Sequence, residues 1–192
     1  MVLPPEPLTP TEAMVAMVMR GQEFKLVADI GGAAGIHLHK LRPHLHPTTA
    51  WHVVETPAMF SAVAWAGGGV SGAYFRRDVP DGAWLALFSG SLQYAASPMA
   101  LLASVRDFRP QWLIVSRLCL SNGPTRLETQ KSKLSTNGPG PLPRGFRDEV
   151  VRYERTVLNR SEFLAGFAGY DLVLEWAEGG DSGAGFVFER SK

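Results

Sequence analysis

Asp29 stands two residues ahead of a glycine-rich turn, in the stretch VADIGGAAGIHLHK over 27–40. Gly31, Gly32 and Gly35 allow a sharp turn and a close approach of backbone to a ligand. The helix that follows offers unpaired N–H groups to a carboxylate or phosphate. A second carboxylate, Glu55, closes the apolar run WHVVE. A dinucleotide turn needs G-x-G-x-x-G. Counted from Gly31, the chain has Ala33 and Ile36 at the next glycine positions; counted from Gly32, it has Ala34 and His37. An Asp29 carboxylate would also repel a pyrophosphate. It suits a ligand with an amino group and a sulfonium charge. Glu55 can accept both hydroxyls of a ribose, a feature shared by several nucleoside folds.

The ligand that joins these properties is S-adenosylmethionine (SAM). One alternative stays open: a flavodoxin-like or other doubly wound domain whose glycines only turn the chain.

Such residues need a frame. Thr9 or Thr11 caps a helix through Met19, so 1–22 reads as an N-terminal helical segment. KLVADI is an apolar run of strand length. The helix AAGIHLHKL places Leu38, Leu41 and Leu45 on one stripe, and Pro43 breaks it. AWHVVE is a second strand, and Thr56 with Pro57 opens a helix running to Gly67. GAYF is a third strand, and AWLALFSG a fourth, apolar enough to be buried on both faces. Ser97 and Pro98 open the helix MALLASVRDF, and QWLIVSRLCL is a fifth strand. The segment 121–146 is rich in Gly, Pro, Ser and Thr and reads as a long flexible loop or lid. Asn159 and Glu162 form a capping-box pattern before SEFLAGFA. DLVLEWAE and GFVFER are two last strands joined by hairpin chemistry.

Alternating strands and helices imply an α/β, Rossmann-like, mostly parallel sheet with helices on both faces. The terminal hairpin sets one strand antiparallel. A seven-stranded sheet of that kind resembles the SAM methyltransferases. The span 1–192 reads as one domain.

The composition agrees with a single globular domain: 45% hydrophobic residues and a net charge of +1. Near-neutral charge argues against a general nucleic-acid or membrane-surface binder. The one cysteine, Cys119, excludes an internal disulfide and reads as a buried core residue. The N-terminus lacks a basic start followed by a long apolar run, so the expectation is a cytoplasmic protein.

DIGGAAG, WHVVE, LFSGSLQY and LIVSR, in this order, resemble a small group of class I methyltransferases. That group tends to carry D-x-GG-x-x-G, W-x-VVE, SG-x-LQY and a fifth-strand DR, and is associated with polysaccharide or specialised-metabolite pathways. The resemblance covers about 24–130 and again SEFLAGFAGYDLV, with SGSLQY its most specific piece. There are departures. Ser116 precedes Arg117 where the group has an acidic residue, and the segment after Gln130 differs from the group's. The SAM half is kept and the acceptor half is changed.

The resemblance implies a SAM-dependent transfer of methyl to oxygen or nitrogen of a small-molecule or sugar acceptor. Asp29, Gly31, Gly32, Gly35, Glu55, Ser89 and Gly90 would bind SAM. Gln93 and Tyr94, on the loop after the fourth strand, would face the acceptor as catalytic groups. Arg117 and Gln130 would bind an anionic acceptor, or Arg117 pairs with Asp107.

All five histidines fall between His37 and His52. Their spacing does not converge on one point, so no metal site is read. His37 either shares a solvated helix face with Lys40 and His44, or touches the SAM carboxylate or serves as a base. His52 reads as a hydrogen-bonded core histidine. A homodimer is compatible with the sequence. Two rival functions stay open: a SAM-binding fold repurposed for cyclisation or elimination, and a non-catalytic partner subunit.

Overall fold

A computed structural model describes residues 7–65, 68–133, 147–178 and 183–192. Helix α1 (Pro10–Met19) opens the described chain. Thr9 caps it and Glu12 completes a reciprocal capping box. Strands β1 (Leu26–Ile30), β2 (Ala50–Val54) and β3 (Ala73–Arg76) alternate with α2 (Ile36–Leu41) and α3 (Pro57–Trp65). A short 3-10 turn at Arg42–His44 follows α2, as Pro43 requires. Then come β4 (Leu85–Ser89), α4 (Pro98–Asp107) and β5 (Trp112–Leu118). After β6 (Leu120–Ser121), β7 (Arg126–Lys133) and β8 (Val150–Asn159), helix α5 (Arg160–Ala165) leads to β9 (Tyr170–Ala177) and β10 (Ala184–Arg190). No described helix is long and apolar enough to cross a membrane.

The main sheet has seven strands in the order β3-β2-β1-β4-β5-β10-β9. The first five are parallel, and β10 runs antiparallel to both β5 and β9. The strand order reverses between β1 and β4. In open α/β sheets the carboxyl ends at such a point form a crevice.

Successive residues of the central strands alternate between two cores, as the period of two requires. Val27, Leu85, Leu87, Ile114 and Val187 pack with Val15 and Met19 of α1 and with Leu38 and Leu41 of α2. Ala28, Ala86, Phe88, Leu113, Val115 and Phe186 pack on the other face with Leu102 of α4 and Phe163 of α5. Fully buried Phe163 lies 5.0 Å from the Phe167 ring and 5.1 Å from that of Phe186, centroid to centroid. Apolar burial on both faces explains the near-continuous apolar runs of β4 and β5.

The segment after β5 corrects the loop reading of 121–146. Arg126–Lys133 is β7, paired antiparallel with β8 from Arg126 opposite Val157 to Lys133 opposite Val150. β8 also pairs in parallel with β6, so a three-stranded sheet stands beside the main one. The strand escaped notice because its half-buried side is carried by Glu128, Gln130 and Ser132, not by apolar residues. The rest of the expected loop, 134–146, lies outside the described residues. His52 is hydrogen-bonded as expected, its Nδ1 3.4 Å from the Arg76 guanidinium, but it sits half-buried and not in the core, its ring 5.1 Å from that of Tyr74. Cys119 is half-buried and not fully in the core.

Phe163→Ala should cost about 3–5 kcal/mol, since it empties an aromatic-lined site that cannot collapse. Urea unfolding followed by circular dichroism measures the loss.

Candidate active site

The glycine turn crosses the carboxyl end of β1. Gly31 and Gly35 hold φ angles of 72° and 81°, in the region open chiefly to glycine. Gly31 N–H donates to the Val54 carbonyl at 2.8 Å, tying the turn to β2. A Cβ on Gly31 would strike Ser91, and one on Gly32 would collide with the Asp29 carboxylate. Ala33 adopts φ 50° without being glycine, and its N–H donates to Glu55 Oε1 at 2.7 Å. Glu55 Oε2 accepts from the Thr56 N–H at 3.1 Å. Glu55 therefore joins the glycine turn to the end of β2. Each carboxylate oxygen keeps a second lone pair for a ligand hydroxyl.

Asp29 is fully buried. Its Oδ2 accepts from the Trp51 indole N–H at 3.2 Å, while Oδ1 has no partner among the described residues. Burial pushes its carboxyl up to about 6; the Glu55 charge adds to this, and His37 and the Trp51 bond oppose it. An ionised Asp29 thus costs folding stability, and that cost is fully present above about pH 6.

His37 follows in the first turn of α2. It is not on a solvated face. Its Nδ1 lies 3.2 Å from Glu12 Oε1. Burial opposes the charged imidazole, but the Glu12 hydrogen bond and the Asp29 and Glu12 charges outweigh it, and His37 titrates above its ordinary value. Glu12 is itself buried. Burial would raise its carboxyl, yet the His37 bond and the Thr9 capping bonds bring it down to about 2. Thr11, beside it, donates to Ser116 Oγ on β5 at 2.8 Å. The first turn of α1 is thereby fastened to the sheet.

Ser89 ends β4, and its buried hydroxyl has no hydrogen-bond partner among the described residues. Gly90 follows with φ 73°, and the Arg117 side chain passes beside it. Arg117 itself has φ 55° near the end of β5. Ser89, Arg117 and His37 line a cavity of 220 Å³ with Thr9, Thr11 and Glu178. Asp107 lies near Arg106, at 4.0 Å, and no Arg117–Asp107 pair forms.

Gln93 departs from its expected place. It is buried, its Nε2 donates to the Arg117 carbonyl at 3.3 Å, and its Oε1 accepts from Cys119 N–H at 3.0 Å. Both ends of the amide hold the backbone of β5, so Gln93 does not face an acceptor. Tyr94, next to it, is 43% exposed and donates to Gln130 Oε1 at 2.9 Å. Its ring meets that of Tyr153 edge-on, 5.5 Å between centroids. The fold therefore brings Tyr94 and Gln130 together, on the side of the β7–β8 ribbon that packs against the turn after β4.

Glu12, Thr11 and Glu178 escaped the sequence reading. The T-x-x-E spacing of Thr9 and Glu12 signals a capping box, which gives Glu12 a structural role and hides its second one. Nothing in the sequence brings Glu178 to Thr11.

No family model and no curated protein matches this chain. Solved structures do. The glycopeptide N-methyltransferase MtfA, complexed with SAM, aligns over 94% of this chain and 86% of its own, at 11% identity and a TM-score of 0.63. CalS10, an amino pentose methyltransferase from Micromonospora echinaspora involved in calicheamicin biosynthesis, aligns over 94% and 90%, at 15% identity and a TM-score of 0.61. DesVI from Streptomyces venezuelae aligns over 94% and 91%, at 15% identity and a TM-score of 0.60. The fold is that of the class I methyltransferases. At these identities the likeness speaks for the fold. Within that methyltransferase fold, the glycine turn, Glu55 and Ser89 occupy the carboxyl ends of β1, β2 and β4.

Trp51→Phe removes the one hydrogen bond that the described residues make to the Asp29 carboxylate. The Asp29 carboxyl should then titrate above its present value of about 6, which carbon-13 NMR of the side-chain carboxyl would show.

Proposed function

We propose that this chain is a SAM-dependent methyltransferase acting on oxygen or nitrogen of a small-molecule or sugar acceptor in a biosynthetic pathway. The observation that carries the reading is Asp29. It is a fully buried carboxylate with one unpartnered oxygen, under a glycine turn, at the point where the strand order of a methyltransferase fold reverses. An ionised group held there without a full set of partners fits a cationic ligand. The buried, unpartnered Ser89 hydroxyl is a second open position close by.

Asp29 would take the amino group of SAM, Glu55 the ribose hydroxyls, and Gly31, Gly32, Gly35, Ser89 and Gly90 would border the rest by backbone. When bound, SAM supplies a sulfonium methyl that passes in line to the acceptor atom, leaving S-adenosylhomocysteine. The protein then has to align the acceptor and exclude water. Tyr94 stands at the acceptor side. Burial and the neighbouring Tyr153 raise its hydroxyl above the ordinary value, so it stays a phenol at neutral pH. Its proton goes to Gln130, and its lone pairs can orient an acceptor O–H or N–H. Arg117 can hold an anionic group on the acceptor. His37, paired with Glu12, titrates above its ordinary value, which disfavours it as a general base. An amine acceptor that arrives neutral needs no strong base; a hydroxyl acceptor does.

Calorimetric titration with SAM, S-adenosylhomocysteine and NAD tests the reading. Binding of the first two alone supports it, and binding of none removes it. Asp29→Ala or Glu55→Ala should weaken SAM binding by about 1–3 kcal/mol, the value of a charge-assisted hydrogen bond. Tyr94→Phe should lower turnover and leave SAM affinity nearly unchanged; equal loss of both would make Tyr94 a packing residue. SAM binding with no methylated product from any acceptor would point to cyclisation or elimination instead.

A further inference from the structure

We propose that Glu12 is a positioning residue: from the first turn of α1 it orients the His37 imidazole at the cavity wall, where His37 takes the carboxylate of the cofactor. The inference rests on the SAM reading of the site.

Three observations carry it. First, Glu12 has more bonds than a cap requires. Its Oε2 accepts from the Thr9 N–H at 2.8 Å, which completes the capping box, while Oε1 faces His37 Nδ1 at 3.2 Å. One buried carboxylate therefore serves two elements distant in sequence. Second, a bond at Nδ1 sets the ring's orientation and leaves Nε2–H as the donor still to be used. Third, His37 lines the cavity together with Arg117, Ser89, Thr11 and Glu178, so two basic side chains and one carboxylate border one space with two hydroxyl residues. Glu178 already accepts from Trp176 and Thr11, which leaves the His37 Nε2–H beside the Ser89 hydroxyl for a ligand carboxylate, while Arg117 stays for an anionic acceptor. Asp29, at the end of β1, would take the amino group on the same carbon of the ligand.

The charged groups around His37 can be named element by element. Glu12 comes from α1 and Asp29 from β1, and both favour the imidazolium. Arg117 comes from β5 and opposes it. Glu178, after β9, lines the same cavity and accepts from the Trp176 indole N–H at 3.0 Å. The strand end of β4 contributes only the neutral Ser89. With Glu12 removed, burial and Arg117 act against the charge with Asp29 alone to balance them. His37 with its raised value contributes stability below its unfolded value of 6.5, and that contribution is lost as pH rises through the folded value. Cofactor binding should weaken over the same alkaline range.

The test uses the full chain and Glu12→Gln, which keeps the capping-box pattern because glutamine also serves at that position. His37→Gln is the second variant. Nitrogen-detected NMR of the His37 imidazole, without ligand, gives its titration. Calorimetry is run with S-adenosylhomocysteine, which has the amino-acid carboxylate, and with 5′-methylthioadenosine, which has none. Glu12→Gln should lower the His37 titration point and weaken S-adenosylhomocysteine about tenfold, while 5′-methylthioadenosine binds as before. His37→Gln should reproduce that split between the two ligands. An unmoved His37 titration overturns the proposal, and so does equal weakening of both nucleosides, which would mark Glu12 as purely structural. If the wild-type chain binds neither nucleoside, the SAM reading falls and the ligand named here falls with it; a failed His37 shift in a chain that does bind overturns the Glu12 role alone.

Discussion

A carboxylate buried without full compensation is the constraint around which this molecule is arranged. Asp29 sits at the end of the central strand, with β2 on one side and β4 on the other. Burying an ionised group costs several kcal/mol unless partners offset it. Trp51 supplies one hydrogen bond from β2, and His37 supplies charge from the start of α2. Gly32 has no side chain, and any Cβ there would meet the carboxylate. The remaining imbalance, seen in the unpartnered Oδ1 and the raised titration value, is what a cationic ligand can relieve.

The rest of the fold supplies rigidity around that point. Two cores press the sheet from opposite faces, and each central strand contributes alternately to both. Helix α1 is fixed at one end by its hydrophobic residues against β1, β4 and β5, and at the other by Thr11 on Ser116 and Glu12 on His37. A helix that looks peripheral in sequence therefore becomes part of the cavity wall. Gln93 does comparable work on the other side. It binds the backbone at Arg117 and Cys119, where β5 leaves regular geometry.

The surroundings of Tyr94 are built differently. The β7–β8 ribbon meets the turn after β4 through polar and aromatic contacts: Tyr94 with Gln130, and Tyr94 with Tyr153. Ion pairs of Arg126 and Arg155 with Glu128 run along the same ribbon. Such contacts tolerate changes of residue more readily than a packed core does.

The sequence by itself determined the parallel sheet, the closing antiparallel pair and the place of the glycine turn. These follow from local signals: apolar runs of strand length, Thr and Ser before proline, and glycines where φ is positive. The positions of Asp29 and Glu55 were legible for the same reason, since one lies next to the last residue of β1 and the other just past β2. Tertiary structure decided the remainder. β7 and β8 pair through polar residues, and polar alternation carries no signal of burial. Gln93 was expected to face an acceptor and instead faces the backbone of β5, because only the folded chain brings Arg117 and Cys119 beside it. The partnership of Glu12 with His37 spans 25 residues and two elements. A capping box is visible in four residues, but the neighbour its carboxylate meets depends on how α1 lies across the sheet. Chemistry that rests on one element can be read along the chain; chemistry that needs two elements at 3 Å waits for their packing.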